Sequence, residues 1–158
     1  TYADAATTYP AYLRAYIAEV RRRGAHAALV TSPERRNFDE SGHIKDTLGS
    51  YADAVRKLAA EERVPLIDLN ADSRAIYEAL GPQVAPTAFN DGGKDKTHHN
   101  NYGAWLLASA VAERIRTQIP ELAPHIAAAP FMPAQPPSAP QVAIVPSRAH
   151  SDVRPAGN

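Results

Sequence analysis

The order of apolar segments predicts an α/β fold in which parallel strands are joined by helical crossovers, with only part of such a fold spelled out in these residues. Amphipathic stretches and short apolar runs follow one another as helix, strand, helix, strand, helix, and a polar loop then leads to a final helix. The runs at 27–31 and 64–69 are too short for helices and do not alternate, which is the pattern of strands buried on both faces. Two strands cannot cover four helices, so either another chain or a preceding part of a longer protein must supply the rest of the sheet.

Each element has its own local signals. Tyr9-Pro10 opens the first helix, with Tyr12, Leu13, Tyr16, Ile17 and Val20 on one face, Arg21 to Arg23 at the carbonyl end and Gly24 just beyond. Proline near the start, cations in the last turn and glycine after it are boundary signals. The strand at 27–31 closes at Ser32-Pro33. A polar connection, 34–47, is longer than usual for such a link and reads as a candidate functional loop. A second helix, about 48–63, turns Tyr51, Val55, Leu58 and Ala59 inward, and the strand at 64–69 follows. A third helix, 71–80, stops at Gly81-Pro82. The polar loop 83–101 holds Asp91-Gly92-Gly93 and Asp95-Lys96-Thr97-His98-His99, and the last helix, 102–119, carries Trp105, Leu106, Ala108, Ala112 and Ile115 on a surface that needs a sheet beneath it. From Pro120 onward lie nine of the fourteen prolines, which favour extended chain, so 1–126 is the expected domain and 127–158 a tail or linker without a core. Uncovered helix faces also predict association or poor solubility.

Seventeen Lys and Arg balance seventeen Asp and Glu, so no net field draws the chain to nucleic acid or an anionic membrane. Cysteine is absent, which removes disulfides, thiolate nucleophiles and cysteine metal sites. No apolar run approaches the roughly 20 residues that cross a bilayer, and Thr1 onward lacks the basic-then-apolar order of a signal peptide.

The leading chemical candidate is Asp95-x-x-His98. In a turn, residues three apart lie on one side, so the carboxylate can hold one imidazole nitrogen and leave the other to act as a base. The spacing alone is weak, since Glu40 stands in the same relation to His43. Position strengthens it: the pair precedes an apolar helix in a loop beyond the last strand, where ligand sites of open α/β sheets gather. The plainer alternative is that Asp95, Thr97 or Asn101 caps the final helix and His98 is a solvated loop residue.

Asp95-Lys96-Thr97-His98-His99-Asn100-Asn101-Tyr102-Gly103-Ala104 resembles the last block of the SGNH, or GDSL, hydrolases, an Asp-x-x-His followed by a Gly-Ala helix start. Upstream, the stretch from Tyr9-Pro10 to Ile17, Gly24-Ala25, Leu29-Val30-Thr31-Ser32-Pro33-Glu34-Arg35-Arg36-Asn37-Phe38 and Val64-Pro65-Leu66-Ile67-Asp68-Leu69 are similar to the rhamnogalacturonan acetylesterase branch, in the same order, over about residues 8 to 120. The resemblance implies a partial three-layer α/β/α sandwich of flavodoxin-like type with its N-terminal strands missing. It also implies a Ser-His-Asp reaction that takes acetyl groups off pectic polysaccharide, His98 as base, Asp95 as its orienting carboxylate, no cofactor, and an extracellular or periplasmic location. The family's Gly-Asp-Ser nucleophile block, oxyanion-hole glycine and Gly-x-Asn-Asp block precede the matching segment and do not occur here, so the chain alone is expected to be inactive. Ser32 is a poor substitute, with no flanking glycines and Pro33 beside it.

Arg35, Arg36 and Asn37 follow a strand end and could face a substrate cleft, where guanidinium forks suit the carboxylates of a galacturonate polymer; the alternative is a solvated loop with surface ion pairs. His98, His99, Asp91, Asp95 and His43 make a poor metal set, because adjacent histidines diverge and no His-x-x-x-His occurs. Arg21 to Arg23 suit a helix end better than nucleic acid, and Gly92-Gly93 lacks the setting of a phosphate loop. Rival functions are an SGNH esterase or lipase for another acyl ester and a non-catalytic glycan-binding or interaction module derived from a hydrolase.

Overall fold

The computed structural model describes residues 3–139. Its elements are α1 (Thr8–Arg22), β1 (Leu29–Val30), α2 (Gly49–Glu62), β2 (Leu66–Ile67), α3 (Leu69–Val84) and α4 (Asn101–Gln118), with 3₁₀ turns at Ala85–Ala88, Asp91–Gly93 and Pro120–His125. β1 and β2 pair in parallel, Leu29 opposite Leu66 and Val30 opposite Ile67. This is the α/β architecture the sequence calls for, with a two-stranded parallel sheet and mostly helices.

The strands are shorter than their apolar runs because each has one partner at most among the described residues. Ile67 is buried, whereas Val30 is 47% exposed. On α1 only Ile17 is buried, and Tyr12 and Tyr16 stand in solvent at 60% and 70%. Their helical spacing marks one face of α1, which the described residues leave uncovered. α1 is held to α2 by an edge-to-face contact of Tyr9 on Tyr51 and by Arg14 and Arg21 paired with Glu61 and Glu62.

The main core lies elsewhere, between α3, α4 and the turn that joins them. Ile44, Leu69, Ile76, Tyr77, Ala85, Ala88, Phe89, Tyr102, Leu106, Ala110 and Phe131 form one buried cluster. Asp68 caps α3 by accepting from the Ala71 amide, so the helix begins two residues before the expected Ala71. It breaks where expected: Gly81 takes φ 72° and ψ 168°, and Pro82 opens a further turn that runs to Val84. On α4, Leu106 is buried but Trp105 is 40% exposed, meeting Phe131 edge-on.

Two expectations change. The connection after β1 is less polar in space than in sequence: Phe38 bridges to Ile44, and Ile44 is 3% exposed in the core. Within the supposed tail, residues 127–139 pack rather than hang free. Phe131 is 8% exposed, its amide donates to Glu113, Arg116 donates to the Ala128 carbonyl, and Tyr102 donates to the Pro137 carbonyl at 2.7 Å. Extended proline-rich chain still packs when an aromatic anchors it and its carbonyls find donors. Residues 140–158 lie outside the described part.

Candidate active site

The loop between Phe89 and Asn100 is folded back on itself as a narrow antiparallel bridge, Phe89 opposite His99, with the Asn90 amide donating to the His98 carbonyl at 3.0 Å. Asp91–Gly93 turns the chain, with Asp91 and Gly92 at φ 54° and 59° and Gly93 at φ 85°. At the base of the loop Asn100 caps α4: its Oδ1 accepts from the Tyr102 and Gly103 amides, and its Nδ2 donates to the Thr87 and Phe89 carbonyls. The cap is therefore Asn100 and none of the three residues weighed from sequence. Gly103 is required at the next turn, because a Cβ there would lie 2.1 Å from the Ala88 carbonyl oxygen.

Asp95 uses its two oxygens for different tasks. Oδ1 accepts from the Thr97 and His98 amides at 2.7 and 2.9 Å, forming the turn, while Oδ2 stands 2.8 Å from His98 Nδ1. The carboxylate is mostly covered, its side chain 14% exposed, whereas the imidazole is 62% exposed. With Nδ1–H directed at the carboxylate, Nε2 carries the lone pair that a base needs. His43 follows a different course: its ring stands 3.6 Å from the carboxylate of Glu78, on α3.

His99 points the opposite way, into the core, as alternation along an extended strand requires. Its ring lies 4.4 Å from the Phe89 centroid and stacks on Tyr77 at 6.0 Å, and Nε2 is 2.7 Å from the Tyr77 hydroxyl. Burial pushes its pKa down to about 4, so the ring is neutral near pH 7. Burial also drives the Tyr77 hydroxyl well above its ordinary range. The two adjacent histidines are thus one solvent-facing ring and one structural ring. Among the described residues no group of three or more acids and histidines is placed to hold a metal ion.

Of the three residues assigned to a substrate cleft, Arg35 is exposed, Asn37 is half-buried with its carbonyl accepting from the Lys45 amide, and Arg36 is turned inward. The Arg36 guanidinium donates to the Gly93 and Asp95 carbonyls, and its Cζ lies 5.0 Å from the Phe89 ring centroid. It is engaged by the loop that carries Asp95. The roles of Arg36, Asn100 and His99–Tyr77 were not legible as pairs, since 57, 11 and 22 residues separate their partners.

No family model matches the chain. Individual proteins do. The chain is 41% identical over 120 residues to rhamnogalacturonan acetylesterase RhgT of Bacillus subtilis (strain 168), covering 69% of this chain and 52% of that protein. It is 38% identical over 117 residues to the probable rhamnogalacturonan acetylesterase YesY of the same organism, covering 73% and 54%. The crystal structure of YxiM from Bacillus subtilis superimposes with a TM-score of 0.65 at 30% identity, over 73% of this chain and 32% of that one. The chain spans about half the length of the first two relatives. Identity at this level over 120 and 117 residues, together with the fold shared with YxiM, supports an SGNH hydrolase of the rhamnogalacturonan acetylesterase-like branch, of which these residues cover the C-terminal part.

Proposed function

We propose that these residues belong to a serine esterase that removes acetyl groups from pectic polysaccharide outside the cytoplasm, in the extracellular space or periplasm. One observation supports it above the rest: a carboxylate that is nearly covered holds Nδ1 of an imidazole that is nearly uncovered, at 2.8 Å. A serine carried by a segment outside these residues attacks the acetyl carbonyl while His98 Nε2 takes its proton. The tetrahedral intermediate collapses, His98 returns the proton to the departing sugar hydroxyl, and an acetyl-enzyme remains. Water then attacks with His98 again as base, and acetate leaves. Asp95 keeps the ring in the useful tautomer and stabilises the imidazolium. Arg35, exposed in the loop after β1, is a cation suited to the carboxylates of an acidic polymer. No cofactor enters these steps.

The names of the relatives support the substrate class, since two of them are called rhamnogalacturonan acetylesterases, one of these as probable. The test is acetate release from acetylated pectin by the full-length protein, compared with its His98→Ala and Asp95→Asn variants. Loss of turnover by at least about 10³-fold in both is the expected result. Turnover that survives His98→Ala would sink the reading.

A further inference from the structure

The loop after β1 carries two neighbouring arginines in opposite surroundings. Arg35 lies in solvent, and Arg36 is 8% exposed. Burying a guanidinium is costly unless its donors are satisfied, and a carboxylate is the usual partner. Arg36 instead donates from Nη2 to two backbone carbonyls, those of Gly93 and Asp95, while its own amide donates to the carbonyl of Lys96 at 2.9 Å. One residue thus fastens three peptide groups across 93–96, and its Nε remains buried without a partner. A residue kept for stability alone is poorly served by that orphaned donor. Fastened this way, the chain on both sides of Asp95 has one path, which sets the direction in which the carboxylate leaves the backbone and hence where Oδ2 meets His98.

Building on the esterase reading above, we propose that Arg36 is a positioning residue for the Asp95–His98 pair: it fixes the loop that aims the carboxylate at Nδ1, and its charge offsets part of the carboxylate's field. It acts through Asp95 and does not touch substrate. A misplacement of about 1 Å at a reacting group costs on the order of 10²-fold in rate, so the effect belongs in kcat rather than in KM.

The test uses the full-length esterase with a small neutral acetyl ester. Arg36→Gln removes fork and charge, and Arg36→Lys keeps charge without the fork. Both should lower kcat, by about tenfold or more, with KM within about twofold of the parent. Asp95 faces the imidazole at 2.8 Å, Arg36 interacts electrostatically with Asp95, the neutral His99 neighbours both, and the exposed Lys94 and Lys96 flank Asp95 in sequence. Losing the Arg36 cation leaves the Asp95 carboxylate less offset, so the acid limb of kcat/KM should move to higher pH in Arg36→Gln and stay in place in Arg36→Lys. Val55→Ala, a core change in α2, serves as the stability control and should lower the melting temperature without moving that limb. Parental kcat in Arg36→Gln, or a loss with no movement of the limb that tracks melting temperature as Val55→Ala does, overturns the assignment. If Arg36→Gln fails to fold, Arg36→Lys decides: parental kcat there rejects the fork. His98→Ala separates the two readings, because abolished turnover in that variant beside parental kcat in Arg36→Gln rejects Arg36 alone, whereas turnover in His98→Ala rejects the esterase and Arg36 together.

Discussion

His98 and His99 are neighbours of one residue type with opposite fates, and the backbone decides between them. On an extended bridge successive side chains diverge, so one ring must face solvent if the other enters the core. The inner ring makes stability depend on pH. His99 is held near pKa 4 by burial against an ordinary value of 6.5, so between those values the unfolded chain binds a proton that the folded chain does not. Stability therefore falls as pH drops from about 6.5 to about 4 and levels off below, a loss of about 3 kcal/mol from this group. Urea unfolding at pH 7 and pH 4.5 should show it, and His99→Phe should shrink the difference; an undiminished difference would assign the effect to other groups. Gly103 makes the second prediction at this scale. A methyl group 2.1 Å from the Ala88 carbonyl oxygen cannot be accommodated without moving α4 off the turn, so Gly103→Ala should lower stability by more than about 2 kcal/mol and depress turnover through the loop above it.

At the scale of elements, the order of helices and strands was readable because each has a periodic face and a punctuated end. Gly24, Gly81-Pro82 and the apolar runs before Ser32 and Asp68 sit at or within a few residues of the observed boundaries. Strand length was not readable, because a strand extends only as far as its neighbour pairs with it. The cap of α4, which the sequence offered as Asp95, Thr97 or Asn101, is Asn100; Asn100 and Asn101 offer the same chemistry, and only the carbonyls of Thr87 and Phe89 select between them. Asn100→Ala removes two accepted and two donated hydrogen bonds at once. It should cost about 2 kcal/mol or more, above the usual value of about 1 for a lost cap, and thermal melting would measure it. An Asn100→Ala melting curve identical to the parent would show that water replaces the cap.

At the scale of the molecule, the exposed tyrosines of α1 and the exposed Val30 mark a surface made for burial. The 158 residues by themselves should self-associate at micromolar concentration, seen by sedimentation, and release no acetate. A monomer with esterase turnover would refute both the proposal that the serine lies outside these residues and the reading of the α1 face as a surface for burial. The proline-rich stretch reads as a tail by composition, yet Phe131 brings 127–139 onto α4. Composition averages over residues, and one buried aromatic outweighs several extended prolines.

Periodicity, punctuation and the Asp95-x-x-His98 block determined the α/β class, the element order and the candidate acid and base without any coordinates, because these depend on contacts within a few residues along the chain. The inward turn of Arg36, the partnership of His99 with Tyr77, the Asn100 cap and the seat of Phe131 were settled by the tertiary structure alone. Each joins groups well apart in sequence, and a side chain that could serve solvent, substrate or core has no local signal of which partner will be brought to it.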